Sequence, residues 1–229
     1  MRQLTEIAMS APIHVAIVED HQSIIDGYMF RLQKTPGIEV VGFSYYGEEI
    51  ESLLAEHPVD VLLLDAHIPT STDNASPFPV LGLLPKLLEA YPEMHILIIT
   101  MHNRRSYIER AMEAGASGYV MKNDYSAIEN LDSIVRSIAS GGVYFSQEVS
   151  QALLKNPNEN AELTPRQRDA LTICAAYPNE TTAELARRLG IADSTMRNLL
   201  SGAYLKLGVR NRAAALEEAH RRGYLVLHD

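Results

Sequence analysis

Asp65 stands directly after an apolar run, Val61-Leu62-Leu63-Leu64, and three other runs end on a reactive side chain in the same way. Ile13–Val18 runs into Glu19-Asp20, Ile96–Ile99 into Thr100, and Gly118–Met121 into Lys122. Runs of this kind read as parallel strands, and parallel sheets do their chemistry in the crevice outside the carboxyl ends of the strands. Three carboxylates, a hydroxyl and an amine would then meet in one place. Packed together, the carboxylates repel one another. A hard divalent cation, which prefers oxygen ligands, relieves that repulsion. Asp65 is the candidate nucleophile, forming an aspartyl phosphate. Lys122 is suited to pair with a phosphoryl oxygen, and the Thr100 hydroxyl to bond another. Tyr119, three residues before Lys122, is placed to swing with Thr100.

The elements that must position these groups follow from the pattern. Strands are predicted near 13–18, 38–44, 59–64, 95–100 and 118–121. Helices are predicted near 21–35, 47–56, 80–90, 104–114 and 124–140. Short β-branched strands alternating with helical patterns make an α/β fold. Five such units predict a five-stranded parallel sheet of order 2-1-3-4-5 with right-handed crossovers. The segment Thr70–Pro79 is polar and bounded by prolines; it reads as a solvated insertion beside Asp65, with a docking or lid role as the sharper alternative.

On these residues the first part of the chain resembles a response-regulator receiver domain, from about Ile13 to Tyr144. Val18-Glu19-Asp20-His21 looks like that family's acidic pair. Asp65 with Pro69 looks like the phosphoacceptor and its loop. Thr100, Tyr119 and Lys122 resemble the switch hydroxyl, switch aromatic and lysine, and Ala114–Tyr119 is similar to the segment entering the last strand. The resemblance implies phosphate on Asp65 from a sensor histidine kinase. It also implies Mg²⁺ held by Asp20, Asp65 and the main-chain carbonyl of His67, with Glu19 acting largely through a water. The loop after Pro69 is longer than is usual in that family.

The chain has 229 residues and a formal net charge of −9. The charge is uneven. Residues 1–155 carry 10 basic and 20 acidic side chains, and residues 156–229 carry 10 and 9. An acidic domain is thus tethered to a near-neutral one with arginine clusters. The predicted divisions are a receiver-like domain over 13–146, a polar linker over 147–161 and a helical domain over 162–229. No apolar run reaches the length of a membrane span, and the first residues lack a signal-peptide pattern. Cys174 is the only cysteine and reads as a small core residue. A cytoplasmic protein is expected.

The last domain reads as four helices. Leu163-Thr164-Pro165-Arg166-Gln167 combines a Thr N-cap, Pro at the first helical position and a capping-box Gln. Helices follow near 182–189, 195–207 and 212–222, with Gly190 turning the chain between the second and third, and Asp193 or Ser194 expected to cap the third. Two helices joined by a tight glycine turn make a helix-turn-helix. The domain resembles the DNA-binding domain of NarL/FixJ (LuxR-type) regulators. Leu163–Arg168, Glu184-Leu185-Ala186, Leu189-Gly190-Ile191, Ser194-Thr195 and Lys206–Arg212 carry that likeness. It implies promoter DNA as a partner and a phosphorylation-promoted homodimer. The expected contacts are Arg197 and Asn198 on base edges, with Ser201 on the same face, and Ser194, Thr195 and Lys206 nearer the phosphates. The third helix departs from the family where it reads Met196-Arg197-Asn198-Leu199-Leu200, and Gly202 falls inside it, where glycine costs about 1 kcal/mol relative to alanine.

Three rivals stand beside this reading. The C-terminal helices could dock a protein through Leu199 and Leu200 rather than read DNA. His21, His67 and His102, each near a strand end, could join the carboxylates in a transition-metal site, although exposed loop histidines are common. A phosphohydrolase of the haloacid-dehalogenase type would want a second Asp where His67 stands.

Overall fold

A computed structural model describes residues 11–154 and 162–225. The first domain is a three-layer α/β sandwich. Its sheet comprises β1 (Ile13–Val18), β2 (Ile38–Ser44), β3 (Val61–Leu64), β6 (His95–Thr100), β7 (Gly118–Met121) and β8 (Tyr144–Phe145) in the order β2-β1-β3-β6-β7-β8. Every pairing is parallel. The expected five-strand order is therefore present, extended by one edge strand. β8 has only two residues, too short to show an alternating pattern in sequence. β1, β3, β6 and β7 are buried on both faces, which is why they read as continuous apolar runs.

The helices α1 (Gln22–Leu32), α2 (Ile50–Glu56), α3 (Val80–Ala90), α4 (Arg105–Glu113), α5 (Tyr125–Glu129) and α6 (Leu131–Ala139) cover the sheet. The single helix predicted over 124–140 is broken. Asn130 leaves helical geometry at φ −103° and ψ 27°, ending α5 and starting α6. Its amide also donates to the Ser126 carbonyl, the local bonding that makes Asn an interruption in a helix. The Thr70–Pro79 segment is ordered as a hairpin of β4 (Pro69–Ser71) and β5 (Asn74–Pro77). Phe78 anchors its base. The Phe78 ring lies so close to Gly47 that no side chain fits there.

The expected linker over 147–161 is helical in its first half: α7 spans Gln147–Leu154, and the rest lies outside the described residues. The second domain contains α8 (Pro165–Ala176), α9 (Thr182–Leu189), α10 (Asp193–Leu207) and α11 (Arg212–Arg221). The capping box of Thr164 and Gln167 forms as predicted. A second one, Thr181 with Glu184, starts α9; its Thr-x-x-Glu spacing was there to be read. Gly190 and Gly208 end α9 and α10 in the left-handed conformation, at φ 65° and 71°. The cap expected at Asp193 or Ser194 is absent. Ala192 occupies the N-cap without a side-chain bond, and Asp193 lies within the first turn. Gly202 has a packing reason. A Cβ there would meet Gln167 Nε2 at 2.6 Å, because the capping box holds that side chain across α10. Cys174 is fully buried in this domain, and burial pushes its thiol up to about 11.

The two domains share one apolar core. Leu88, Met94, Ile108, Ala111 and Met112 of the first are continuous with Met196, Leu200, Ala203 and Leu171 of the second. The contact is α10 against α4.

Candidate functional site

The strand ends bring the predicted residues together. Glu19 follows β1, Asp65 follows β3, and Lys122 follows β7. Because β1, β3, β6 and β7 run parallel and in register, these side chains converge at one edge of the sheet. Lys122 Nζ lies 2.7 Å from Asp65 Oδ2 and 2.6 Å from Glu19 Oε2. The other Asp65 oxygen accepts from the His67 N–H at 3.0 Å. Both carboxylates are nearly buried, Glu19 at 1% and Asp65 at 5% exposure. Burial raises the pKa of Glu19, against the pull of Lys122. Burial would lower that of Lys122, but its hydrogen bonds to Asp65 and Glu19 outweigh it and the ammonium is held firmly charged.

One ammonium does not balance three carboxylates. Asp20 faces the same mouth, and its Oδ1 lies 2.8 Å from His21 Nδ1. Glu19 Oε1 lies 3.0 Å from the same nitrogen, and these contacts, Glu19 first, raise the His21 pKa. Glu19, Asp20 and His21 each offer a ligand atom within 4.8 Å of the others. The donor set of Glu19, Asp20 and Asp65 is carboxylate oxygen with surplus negative charge, which fits a hard divalent cation. His67 and His102 do not join it. Their rings meet edge to face at 5.4 Å, and His102 stacks on Tyr107 at 5.6 Å. Among the described residues the three-histidine cluster therefore does not form.

Thr100 and Tyr119 are fully buried and are joined through one residue that the sequence did not single out for this. The His102 N–H donates to Thr100 Oγ1 at 3.4 Å, and the His102 carbonyl accepts from the Tyr119 hydroxyl at 2.6 Å. Tyr107 donates to the Ala66 carbonyl at 3.4 Å. The loop after β6 is thus tied to both switch candidates, and the first turn of α4 to the residue after Asp65. α4 begins three residues beyond His102.

The residues expected to contact DNA have a different fate. Arg197, expected on an outward face, is the largest fully buried side chain of the described residues. It pairs with Asp193 Oδ2 at 2.8 Å, donates to the Met94 carbonyl at 2.8 Å and also donates to the Pro92 carbonyl. Ser201 is buried too, and Asn198 is half-buried. Ser194 is half-buried and Thr195 exposed, while Lys206 donates to the Glu162 carbonyl at 3.1 Å. Leu200 is in the shared core and Leu199 packs against it. The face of α10 carrying Arg197 is turned to the first domain because Met196 and Leu200 on it complete the apolar contact with α4. Helical periodicity marks that face as one stripe but does not say what covers it.

Comparison with known proteins agrees with this architecture. Residues 15–135 match the response regulator receiver domain. The chain is 29% identical over 217 residues to the transcriptional regulatory protein DesR of Bacillus subtilis, covering 93% of this chain and 98% of DesR. It is 25% identical over 224 residues to the oxygen regulatory protein NreC of Staphylococcus carnosus, covering 92% and 98%. The RcsB response regulator of Salmonella typhimurium shares the fold at a TM-score of 0.56 and 22% identity, over 93% of this chain and 100% of that one. No helix of the described residues is long and apolar enough to cross a membrane. A receiver match over more than half the chain places this protein in the response-regulator receiver family, and the likeness to DesR runs on through the four-helix domain.

Proposed function

We propose that this chain is a cytoplasmic, DNA-binding transcription regulator switched by phosphate on Asp65, which a partner sensor histidine kinase donates. The observation that carries the reading is the burial of the α10 polar face against the first domain, through α4, the helix leading away from Thr100, and the Pro92–Met94 turn before β6. Four buried polar atoms on that face, Asp193 Oδ1, Arg197 Nε, Asn198 Oδ1 and Ser201 Oγ, have no hydrogen-bond partner among the described residues. Unpaired buried polar groups are costly, so the face suits a second state in which something else meets them. Base edges and phosphates supply such partners for Arg197, Asn198, Ser201, Ser194, Thr195 and, once it leaves Glu162, Lys206.

In the phosphotransfer, an Asp65 oxygen attacks phosphorus and the kinase histidine departs. Glu19, Asp20, Asp65 and the His67 carbonyl would hold a Mg²⁺ ion, which supplies charge neutralisation for the phosphoryl oxygens. Lys122 exchanges its bond to Asp65 for one to phosphate. Thr100 turns its hydroxyl to another oxygen and releases the His102 N–H. Tyr119, bonded to the His102 carbonyl, moves with that residue, and the start of α4 shifts under α10. The α4–α10 packing then loosens, the second domain separates, and Arg197 leaves the Met94 and Pro92 carbonyls. In one solved structure two RcsB dimers are bound to two parallel DNAs. A pair of copies on adjacent half-sites would give this chain the same advantage, since joined weak sites gain far more than either alone. Leu199 and Leu200, spent on packing, offer no free docking surface in this arrangement, so the interaction-module reading is the weaker one.

Two measurements test the site. With beryllofluoride or acetyl phosphate and Mg²⁺, the parent chain labels and Asp65→Asn falls to background; undiminished labelling of the variant, or labelling without Mg²⁺, removes Asp65 from its role. His67→Ala is expected to label normally but to lose phosphate severalfold faster, because the ring packed on His102 shields the path of attacking water. Equal dephosphorylation rates would make that ring a bystander.

A further inference from the structure

Thr182, the first residue of α9, reaches from the second domain into the first and is only 1% exposed. Its hydroxyl donates to the Gly141 carbonyl and accepts from Arg212 Nη2 at 3.1 Å. Arg212 is steadied in turn by the Glu180 carbonyl, to which Nη1 donates at 2.7 Å. Gly141 lies in the turn after α6, at φ 80°. Its N–H donates to the Ile138 carbonyl at 2.8 Å, and that of Gly142 to the Ser137 carbonyl at 2.9 Å. The Tyr144 N–H donates to the Ser117 carbonyl at 3.1 Å. The turn therefore hangs from α6 and from the start of β7, and none of these bonds involves α4 or the His102 loop. The backbones approach closely as well. A Cβ on residue 141 would stand 2.6 Å from the Thr182 Cβ and 2.9 Å from the Thr182 main-chain nitrogen. Neither atom can yield by a change of rotamer, so any residue but glycine there pushes α9 away as a body. Arg210, in the turn between α10 and α11, reaches the same edge of the first domain: burial and Asp124 raise the pKa of Tyr144, and the Arg210 charge opposes them.

We infer that the Gly141–Thr182 contact is a second autoinhibitory latch, separate from the α4–α10 contact and blind to the state of Asp65. A contact made only in the closed arrangement favours that arrangement whether or not phosphate is present. The relay through His102 acts on α4, so it weakens one of the two contacts and leaves the other as it was. The latch then sets how often the chain opens without phosphate and how strongly phosphate must act to open it. That consequence rests on the function proposed above; the latch itself rests on the contact between the domains.

The test is hydrogen exchange on the full, unphosphorylated chain. Thr182→Val keeps the shape of the side chain and removes its hydroxyl. Amides of α4 and α10 should then exchange about two- to tenfold faster, the range expected for one lost hydrogen bond, while β1 and α8 keep the parent rate. Thr182→Ser keeps the hydroxyl and should match the parent. Gly141→Ala attacks the contact from the other side and should also speed α4 and α10. Thr182→Val should give the same factor when added to Asp65→Asn, since the latch does not read the phosphate. Parent-like exchange of α4 and α10 in both Thr182→Val and Gly141→Ala, or equal acceleration by Thr182→Ser, would overturn the latch. Acceleration in Thr182→Val that extends to α8 and α11 would confine the hydroxyl to a role inside the second domain and overturn it too. No added effect in the Asp65→Asn background would overturn its independence from the switch. Beryllofluoride with Mg²⁺ that labels the parent but leaves exchange at α4 and α10 unchanged would instead count against the opening proposed above, with the Thr182 variants still deciding the latch.

Discussion

Arg197→Ala opens the chain. In the closed arrangement its guanidinium satisfies Asp193, the Met94 carbonyl and the Pro92 carbonyl, in a place without exposure to water. Removing one partner of a buried ion pair costs about 3–5 kcal/mol, because the other charge remains buried and unpaired. Neither domain needs to unfold to relieve that cost; separation hydrates Asp193 and both carbonyls at once. Amide hydrogens of α4 and α10 should therefore exchange faster in the unphosphorylated variant, while β1, β3 and α8 keep their protection. DNA binding should no longer need phosphate but should lose sequence preference, by about 1–3 kcal/mol at the base that Arg197 would read. Asp193→Ala added to Arg197→Ala should cost little more, as expected for two residues in one pair. Unchanged exchange at α4 and α10 would show that Arg197 does not hold the domains together.

Acid acts on the same contact through His95. This residue is 7% exposed, its Nδ1 lies 3.3 Å from Ser117 Oγ, and burial with the nearby Arg197 charge lowers its pKa to about 3. In an unfolded chain it titrates near 6.5. Between those values the unfolded state binds a proton that the folded state refuses. Stability therefore falls as pH falls below about 6.5, by about 1.4 kcal/mol per unit until about pH 3, and is untouched by this group above pH 6.5. In urea unfolding the parent should lose about 1–2 kcal/mol more stability than His95→Gln between pH 6.5 and pH 5. Equal losses in both would assign the acid sensitivity elsewhere.

The convergence of the candidate site residues was legible because the sheet topology leaves little choice. A parallel sheet delivers the C-terminal ends of its strands to one edge, so Glu19, Asp65, Thr100 and Lys122 each needed only a strand before it. The His102 relay was not legible, because its work is done by its main-chain N–H and carbonyl, which any residue possesses. Asn130 illustrates a local limit: the apolar stripe runs on past it, and only the backbone turns. Arg197 illustrates a larger one. Its place on the helix was plain, but whether a stripe faces water or another domain depends on Leu88, Met94 and Met112, about a hundred residues away. The hairpin over 69–77 was read as a loop because its strands are short and polar, β4 uniformly half-buried and β5 uniformly exposed, so neither carries the apolar–polar alternation that marks a strand in sequence.

Gln167 and Gly202 set a rule for how this chain can change by descent. The Gln167 side chain closes the α8 cap by accepting from the Thr164 N–H, and the same side chain occupies the space where residue 202 would place a Cβ. Alanine at 202, a replacement that helix propensity favours, is therefore harmful while Gln167 remains. A shorter residue at 167 first gives up one hydrogen bond of the cap, after which alanine at 202 becomes an improvement. Each replacement alone disturbs the cap and the two together relieve one another, so residues 167 and 202 are expected to change as a pair.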